Sequence, residues 1–142
     1  MGEAREVLNR LTEAVFARDW EAVGRCYASN AVLVTPDEGE ISGTEEVVQW
    51  YRGFLDAFPD ARIESLYEHE DGNTAVDEGH LVGANTGPLA LPTGESMPAT
   101  GKSVRFRACD IATVEDGVIT SHRHYFDQME FLGQLGIIEA PA

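Results

Sequence analysis

The chain has 142 residues, with 25 Asp and Glu against 10 Lys and Arg, giving a formal net charge of −15. That balance argues against nucleic acid, whose phosphates need clustered Lys and Arg, and against an anionic membrane surface. With 43% hydrophobic and 25% charged residues the composition is that of a folded globular protein, and the length suits one domain over residues 1–142.

Ala4, Val7, Leu8, Leu11, Ala14 and Val15 recur at helical spacing with charges between them, which predicts an amphipathic first helix. Asp19 is placed to cap a short second helix carrying Trp20, Val23 and Tyr27. Ala31 to Val34 is a short β-branched run that ends at Pro36, and Asp37-Glu38-Gly39-Glu40 reads as a turn. Ser42, with Glu45 three residues on, has the form of a capping box. Behind it Val47, Val48, Tyr51, Phe54, Leu55 and Phe58 form one broad apolar stripe, stopped by Pro59.

From Ala61 the pattern alternates as a strand does. A turn at Asp71-Gly72-Asn73 leads into a second strand, Thr74 to Asn85. Gly87 to Gly101 is rich in Pro and Gly and has no helical period, so it reads as a long loop over one end of a sheet. Ser103 to Val114 and Val118 to Phe126 are two long strands joined by Glu115-Asp116-Gly117, a strong hairpin signal. A short helix carrying Met129, Phe131, Leu132 and Leu135 ends at Gly136. Helices first and an antiparallel sheet last is the α+β class, and a curved sheet under helices leaves room for a ligand.

Cys26 and Cys109 are too few for a disulfide framework, and no Cys/His spacing suggests zinc. No signal-peptide core opens the chain and no apolar run approaches the ~20 residues that span a bilayer, so the expectation is a cytoplasmic protein. One lysine against nine arginines hints at a G+C-rich bacterial source.

Several segments taken together resemble the SnoaL-like polyketide cyclases of the nuclear-transport-factor-2-like superfamily. They are Gly83-Ala84-Asn85-Thr86-Gly87, Pro98-Ala99-Thr100-Gly101-Lys102, the strand to Asp110, Val114 to Ile119, His122, Asp127 and Leu132-Gly133-Gln134-Leu135-Gly136. Helix one, Gly43-Thr44 and Phe58-Pro59-Asp60 match in position. The resemblance implies a cone-shaped α+β barrel: a curved, mostly antiparallel sheet with the N-terminal helices on its concave face. It also implies an apolar pocket, frequent dimerisation, and ring closure by an intramolecular aldol step with a carboxylate as acid/base and no metal or cofactor. The chain departs from the founding cyclases in carrying His124 where they place the acid/base Asp, and Asp110 where they place a His. It also has Asn85 for a histidine and Glu78-Gly79 for an Arg-Trp pair.

Alternation puts Phe106, Asp110 and Ala112 on one strand face and His122, His124 and Phe126 on one face of the next. A tight Asp-Gly turn then sets Asp110 across from His122 or His124. A carboxylate fixes an imidazole's tautomer and raises its basicity, so an Asp110–His124 pair in an apolar pocket would serve as a general base; a structural hydrogen bond is the plainer reading. Asp127, followed by Glu130, reads as a helix cap, with a direct site role as the alternative.

Glu78 and His80 share a face with Val76 and Val82, and would line either the pocket or the wet outer face. Tyr51, Phe54, Phe106, Phe126 and Met129 are expected to line an apolar cavity that opens near the Pro88 to Pro98 loop, with Asn85 beside it. No metal is expected at His80, His122 and His124. A homodimer is expected through the outer sheet face, on the strength of Leu81, Ile111, Val114 and Ile119. Three functions remain open: a cofactor-free cyclase or isomerase-like lyase acting on a small apolar, polyketide-like or cyclic carbonyl compound; a hydratase, dehydratase or hydrolase whose Asp–His dyad activates water; and a domain that only binds a small apolar ligand.

Overall fold

The computed structural model describes residues 2–91 and 93–139. Helix α1 (Glu3–Phe16) buries the stripe read from the sequence, and Arg5 with it. α2 (Trp20–Arg25) starts at Asp19, whose carboxylate accepts the Ala22 N–H. It stops before Tyr27, which begins β1 (Tyr27–Thr35) instead of extending the helix. The turn at residues 37–40 closes a hairpin onto a further strand, β2 (Gly39–Ser42).

The capping box expected at Ser42 and Glu45 does not form. Ser42 ends β2, and the residue before α3 (Thr44–Ala57) is Gly43 at φ 90°, with no side-chain cap. The helix entry is tied down by long-range bonds: Gly43 N–H donates to the Ala31 carbonyl and Thr44 Oγ1 to that of Ala28. α3 ends ahead of Pro59, as read.

β3 (Arg62–Asp71) and β4 (Thr74–Ala84) form a hairpin, as do β7 (Ser103–Glu115) and β8 (Val118–Phe126). Asp116 and Gly117 turn the second hairpin at φ 52° and 79°, the paired positive values a two-residue Asp-Gly turn requires. The stretch read as an irregular loop contains a small hairpin, β5 (Leu89–Ala90) with β6 (Ser96–Met97). α4 (Gln128–Gln134) follows β8. No helix of the described chain is long and apolar enough to cross a membrane.

The main sheet runs β2-β1-β8-β7-β4-β3, antiparallel throughout except where β1 lies parallel to β8. Its edges, β2 and β3, do not pair, so the cone is an open curved sheet rather than a closed barrel. On β7 the face carrying Val104, Phe106, Asp110, Ala112 and Val114 turns toward the helices, opposite Gly83, Leu81, Asp77 and Ala75 of β4. The core holds α1 and α3 against that face. Val114 and Ile119 are core residues, and Leu81 packs on a second apolar cluster around Phe58. Of the four residues cited for a dimer face, only Ile111 lies on the outer side.

Candidate active site

β8 directs His122 and His124 to the helix-covered face, two residues apart, and their rings stand 4.4 Å apart. β7 places Asp110 directly across from His124 in the ladder. The carboxylate bonds to the other histidine: Asp110 Oδ2 lies 2.6 Å from His122 Nε2, on a ring with no exposed surface. The expected Asp110–His124 dyad is therefore an Asp110–His122 dyad, because the Asp110 side chain leans diagonally across the ladder.

Two tyrosines complete the cluster. Tyr27, at the start of β1, sets its hydroxyl 2.6 Å from His122 Nδ1 and 2.9 Å from the Tyr51 hydroxyl. Tyr51, from α3, lies 2.8 Å from His124 Nε2. Trp50 packs beside His124 with ring centres 5.1 Å apart.

Burial dominates the electrostatics. It keeps both phenols well above their ordinary range, helped by the charge of Asp110, so both remain protonated. Burial, and then the neighbouring His122, push His124 down to about 3 against the pull of Asp110, so its ring is neutral in the ordinary pH range. Burial also opposes ionisation of Asp110, but the His122 hydrogen bond, the two imidazoles and Arg5 outweigh it and hold the carboxyl below its usual range.

A buried ion pair stands behind Asp110. Its partner across the β4–β7 ladder is Asp77, whose Oδ1 is 2.6 Å from Arg5 Nη2 of α1. This contact is an ion pair off the hydrogen-bonding angle, while the Arg5 guanidinium also donates to the carbonyls of His69 and Val76 and to Asn9 Oδ1. Burial and then Asp110 push the Asp77 carboxyl up, with Arg5 opposing. A cleft of about 270 Å³ lies beside this pair, walled by Asn9, Thr12 and Glu13 of α1, Ile63, Ser65 and Glu68 of β3, and Asp77 and Glu78 of β4.

The other residues read as site candidates lie elsewhere. Glu78 and His80 alternate with Asp77 and so belong to the outer strand face, where Glu78 meets Cys109, and His80 meets Arg107 and Glu64, although Glu78 also borders the cleft beside Asp77. Asn85 is fully buried with its amide spent on the chain: it donates to Ala57 O and Gly87 O and accepts from Thr100 N–H and Oγ1–H. Asp127 is exposed and caps α4 through the Glu130 N–H. Met129 is 58% exposed, so it lines no interior cavity. Phe54, Phe106 and Phe126 pack into an aromatic cluster with Phe58 and Phe131, the Phe106–Phe131 centres being 4.7 Å apart. Leu89 of the β5–β6 hairpin packs into the same cluster.

Sequence reasoning missed Tyr27, Asp77 and Arg5. The faint signal for Asp77 is the row of small residues around it, Ala75, Gly79 and Gly83, which marks a closely covered face.

Asp110, His122 and His124 offer ligand atoms that all lie within 4.8 Å of one another, a two-histidine, one-carboxylate set. His122 is engaged at both nitrogens, and binding a metal at Nε2 would displace the proton shared with Asp110. The donors as arranged suit a proton rather than a metal.

The model of a SnoaL-like domain matches residues 8–122. A search of curated proteins finds no sequence match. Among solved structures, a candidate SnoaL-like polyketide cyclase from Jannaschia sp. CCS1 superposes with a TM-score of 0.82 at 21% identity, over 99% of this chain and 94% of that one. IdmH, a candidate polyketide cyclase from Streptomyces antibioticus, gives 0.77 at 21% identity, over 95% and 99%. An epoxide hydrolase of the LEH-like kind from M. tuberculosis gives 0.70 at 20% identity, over 94% and 90%. These structures share the fold, and with the family model spanning α1 to β8 the chain belongs to the SnoaL-like domain family.

Proposed function

We propose that the chain is a cofactor-free acid/base enzyme acting on a small apolar, polyketide-like or cyclic carbonyl compound. The observation that carries this reading is the buried Asp110–His122 bond of 2.6 Å, continued through Tyr27 and Tyr51 to His124. Five titratable groups gathered under the helices cost more desolvation than a core needs. In this reading the imidazole pair on β8 takes a proton from carbon next to a carbonyl, and the Asp110 carboxylate stabilises the imidazolium that forms. No cofactor enters. The match to candidate polyketide cyclases supports the substrate class.

Deuterium exchange at the α-carbon, followed by NMR in heavy water, tests this without a known product. The probes are cyclic 1,3-diketones and aryl methyl ketones. Wild-type protein accelerates exchange of at least one probe, and Asp110→Asn and His122→Gln lose a factor on the order of 10²–10⁴. Equal rates for wild type and both variants across the probes overturn the reading.

A second reading, activation of water in a hydrolase, hydratase or dehydratase, draws on one feature. Asp110 keeps 14% of its side-chain surface exposed, room for a water beside the dyad. The likeness to an epoxide hydrolase adds to it. Hydrolysis of a simple epoxide with no α-exchange would favour this reading. Ligand binding without either activity would leave a binding domain.

A further inference from the structure

With His122 neutral, one arrangement of hydrogens satisfies the four short contacts of the cluster, and the longer approach of the Tyr51 hydroxyl to His122 Nδ1, at 3.5 Å, carries no hydrogen in it. With Asp110 ionised, the proton between Oδ2 and His122 must sit on Nε2, so the neutral His122 ring accepts at Nδ1. Tyr27 is the group at Nδ1, 2.6 Å away, and donates to it. The Tyr27 oxygen then accepts from Tyr51 at 2.9 Å, and the Tyr51 oxygen accepts from His124 Nε2–H at 2.8 Å. Every O–H and N–H in the row points the same way, from His124 to Asp110. His124 Nδ1 is left with a free lone pair and no hydrogen-bond partner within the described chain.

From this row we infer that Tyr27 and Tyr51 form a one-directional proton relay: a proton received at His124 Nδ1 is delivered as charge to His122, beside Asp110. The proton binds Nδ1 of His124, and its Nε2 proton passes to the Tyr51 oxygen. Tyr51 passes its own proton to Tyr27, and Tyr27 passes its own to His122 Nδ1. All four groups end with their original charge except His122, now an imidazolium 2.6 Å from a carboxylate. His124 ends neutral in its other tautomer, and the three hydrogen bonds between His124 and His122 have reversed, while His122 Nε2–H still donates to Asp110.

The geometry also says why a relay is needed. The His124 ring faces a phenol, the Trp50 ring and another imidazole, with no carboxylate bonded to it, whereas His122 touches one. A cation is thus poorly placed on the ring that keeps a free nitrogen, and well placed on the ring that is sealed. Neutral phenols suit the link, because each can donate and accept at once. The titratable groups facing the row are Asp110 from β7, Cys26 beside Tyr27, and, one step beyond Asp110, the Arg5–Asp77 ion pair. The inference rests on the acid/base reading for its purpose, but its test does not use turnover.

Long-range ¹H–¹⁵N correlation spectra of the imidazoles in ¹⁵N-labelled protein report each ring's tautomer directly. At about pH 8 both His122 and His124 should carry their proton on Nε2; either ring in the Nδ1–H form overturns the relay. On lowering the pH, His122 should become doubly protonated while His124 switches from Nε2–H to Nδ1–H with the same midpoint. A His124 that becomes doubly protonated before His122 does, or one that keeps Nε2–H while His122 titrates, also overturns it. In Tyr51→Phe the switch at His124 should vanish while His122 still titrates, and Tyr27→Phe, on a different element, should uncouple the rings in the same way. A relay seen in these spectra together with no α-exchange on any probe would leave the relay standing and remove the enzyme reading.

Discussion

Asp110 and His124 are register partners across the β7–β8 ladder, yet the Asp110 carboxylate bonds to His122, two residues away along β8. The displacement leaves His124 without a bonded carboxylate, and burial, then the neighbouring His122, makes its ring weakly basic.

This has a thermodynamic signature. His124 titrates near 3 in the folded chain, against about 6.5 for an unfolded histidine. Between those values the unfolded state binds the extra proton, so stability rises with pH across the window and is lost as pH falls from about 6.5 toward 3. The full contribution is on the order of a few kcal/mol. His124→Gln should flatten the acid side of a plot of melting temperature against pH. A variant that loses stability in acid as steeply as wild type would remove His124 as the source.

Arg5 and Asp77 predict a strong stability effect from the helix side. Breaking a buried ion pair by removing one partner costs about 3–5 kcal/mol, so Arg5→Met should lower the melting temperature by roughly 10 °C or more. The double variant Arg5→Met, Asp77→Leu should recover much of that, since no charge is then left buried alone. A single variant that melts with wild type would show the pair to be energetically idle.

Asn85 and Asp127 separate two kinds of polar anchor. Asn85→Ala strands the Thr100 N–H and the Ala57 and Gly87 carbonyls, a loss of about 3 kcal/mol on calorimetric unfolding. Asp127→Ala removes one exposed cap, about 1 kcal/mol, with α-exchange activity unchanged. Activity lost in Asp127→Ala with no change in melting would move the acid/base role to Asp127.

The outer face of the sheet predicts the assembly state. It exposes Tyr67 and Tyr125 at more than half of their surface, with Glu78 and Cys109 between them across the strands and Ile111 two residues along β7 from Cys109. Light scattering should give twice the 15.5 kDa chain mass, and the paired change Tyr67→Glu, Tyr125→Glu should return it to one chain mass. A wild-type chain at 15.5 kDa would count against a dimer.

Features governed by neighbours in sequence were legible. Asp19 and Asp127 cap their helices, Asp116-Gly117 turns its hairpin, and the α3 stripe stops at Pro59 because each depends on a few adjacent residues. The register was legible only to the choice of His122 or His124 opposite Asp110, because the irregularity at Thr113 and Val114 carries no sequence signal. The side-chain lean that gives the bond to His122 was not legible, since alternation fixes a face and not a rotamer. The buried face of β4 stayed open in the sequence because Val76 and Val82 are more hydrophobic than Ala75, Gly79 and Gly83 on the opposite side. There the small residues mark close approach: a Cβ on Gly79 would run into the Glu64 carbonyl where β3 bulges, and one on Gly83 would meet Ala61 Cα at 3.3 Å. Tyr27 fitted the helical spacing of α2, and only the pairing of β1 with β8 reveals its role.

That parallel pairing of β1 with β8 also governs when the site can come into being. Tyr27 and His122 are 95 residues apart in the chain, and Tyr51 and His124 are 73 apart. Loop closures of that length are slow and are rewarded only by contacts made after them. Asp110 and His122 meet across a local hairpin and can pair early, whereas the phenols join only when the first strand docks along the last. A ribosome-bound chain whose β8 is still in the exit tunnel therefore holds both tyrosines and neither histidine partner. The row from His124 to Asp110 is assembled only after β8 has emerged, within the ordering of one of the last contacts the sheet can make.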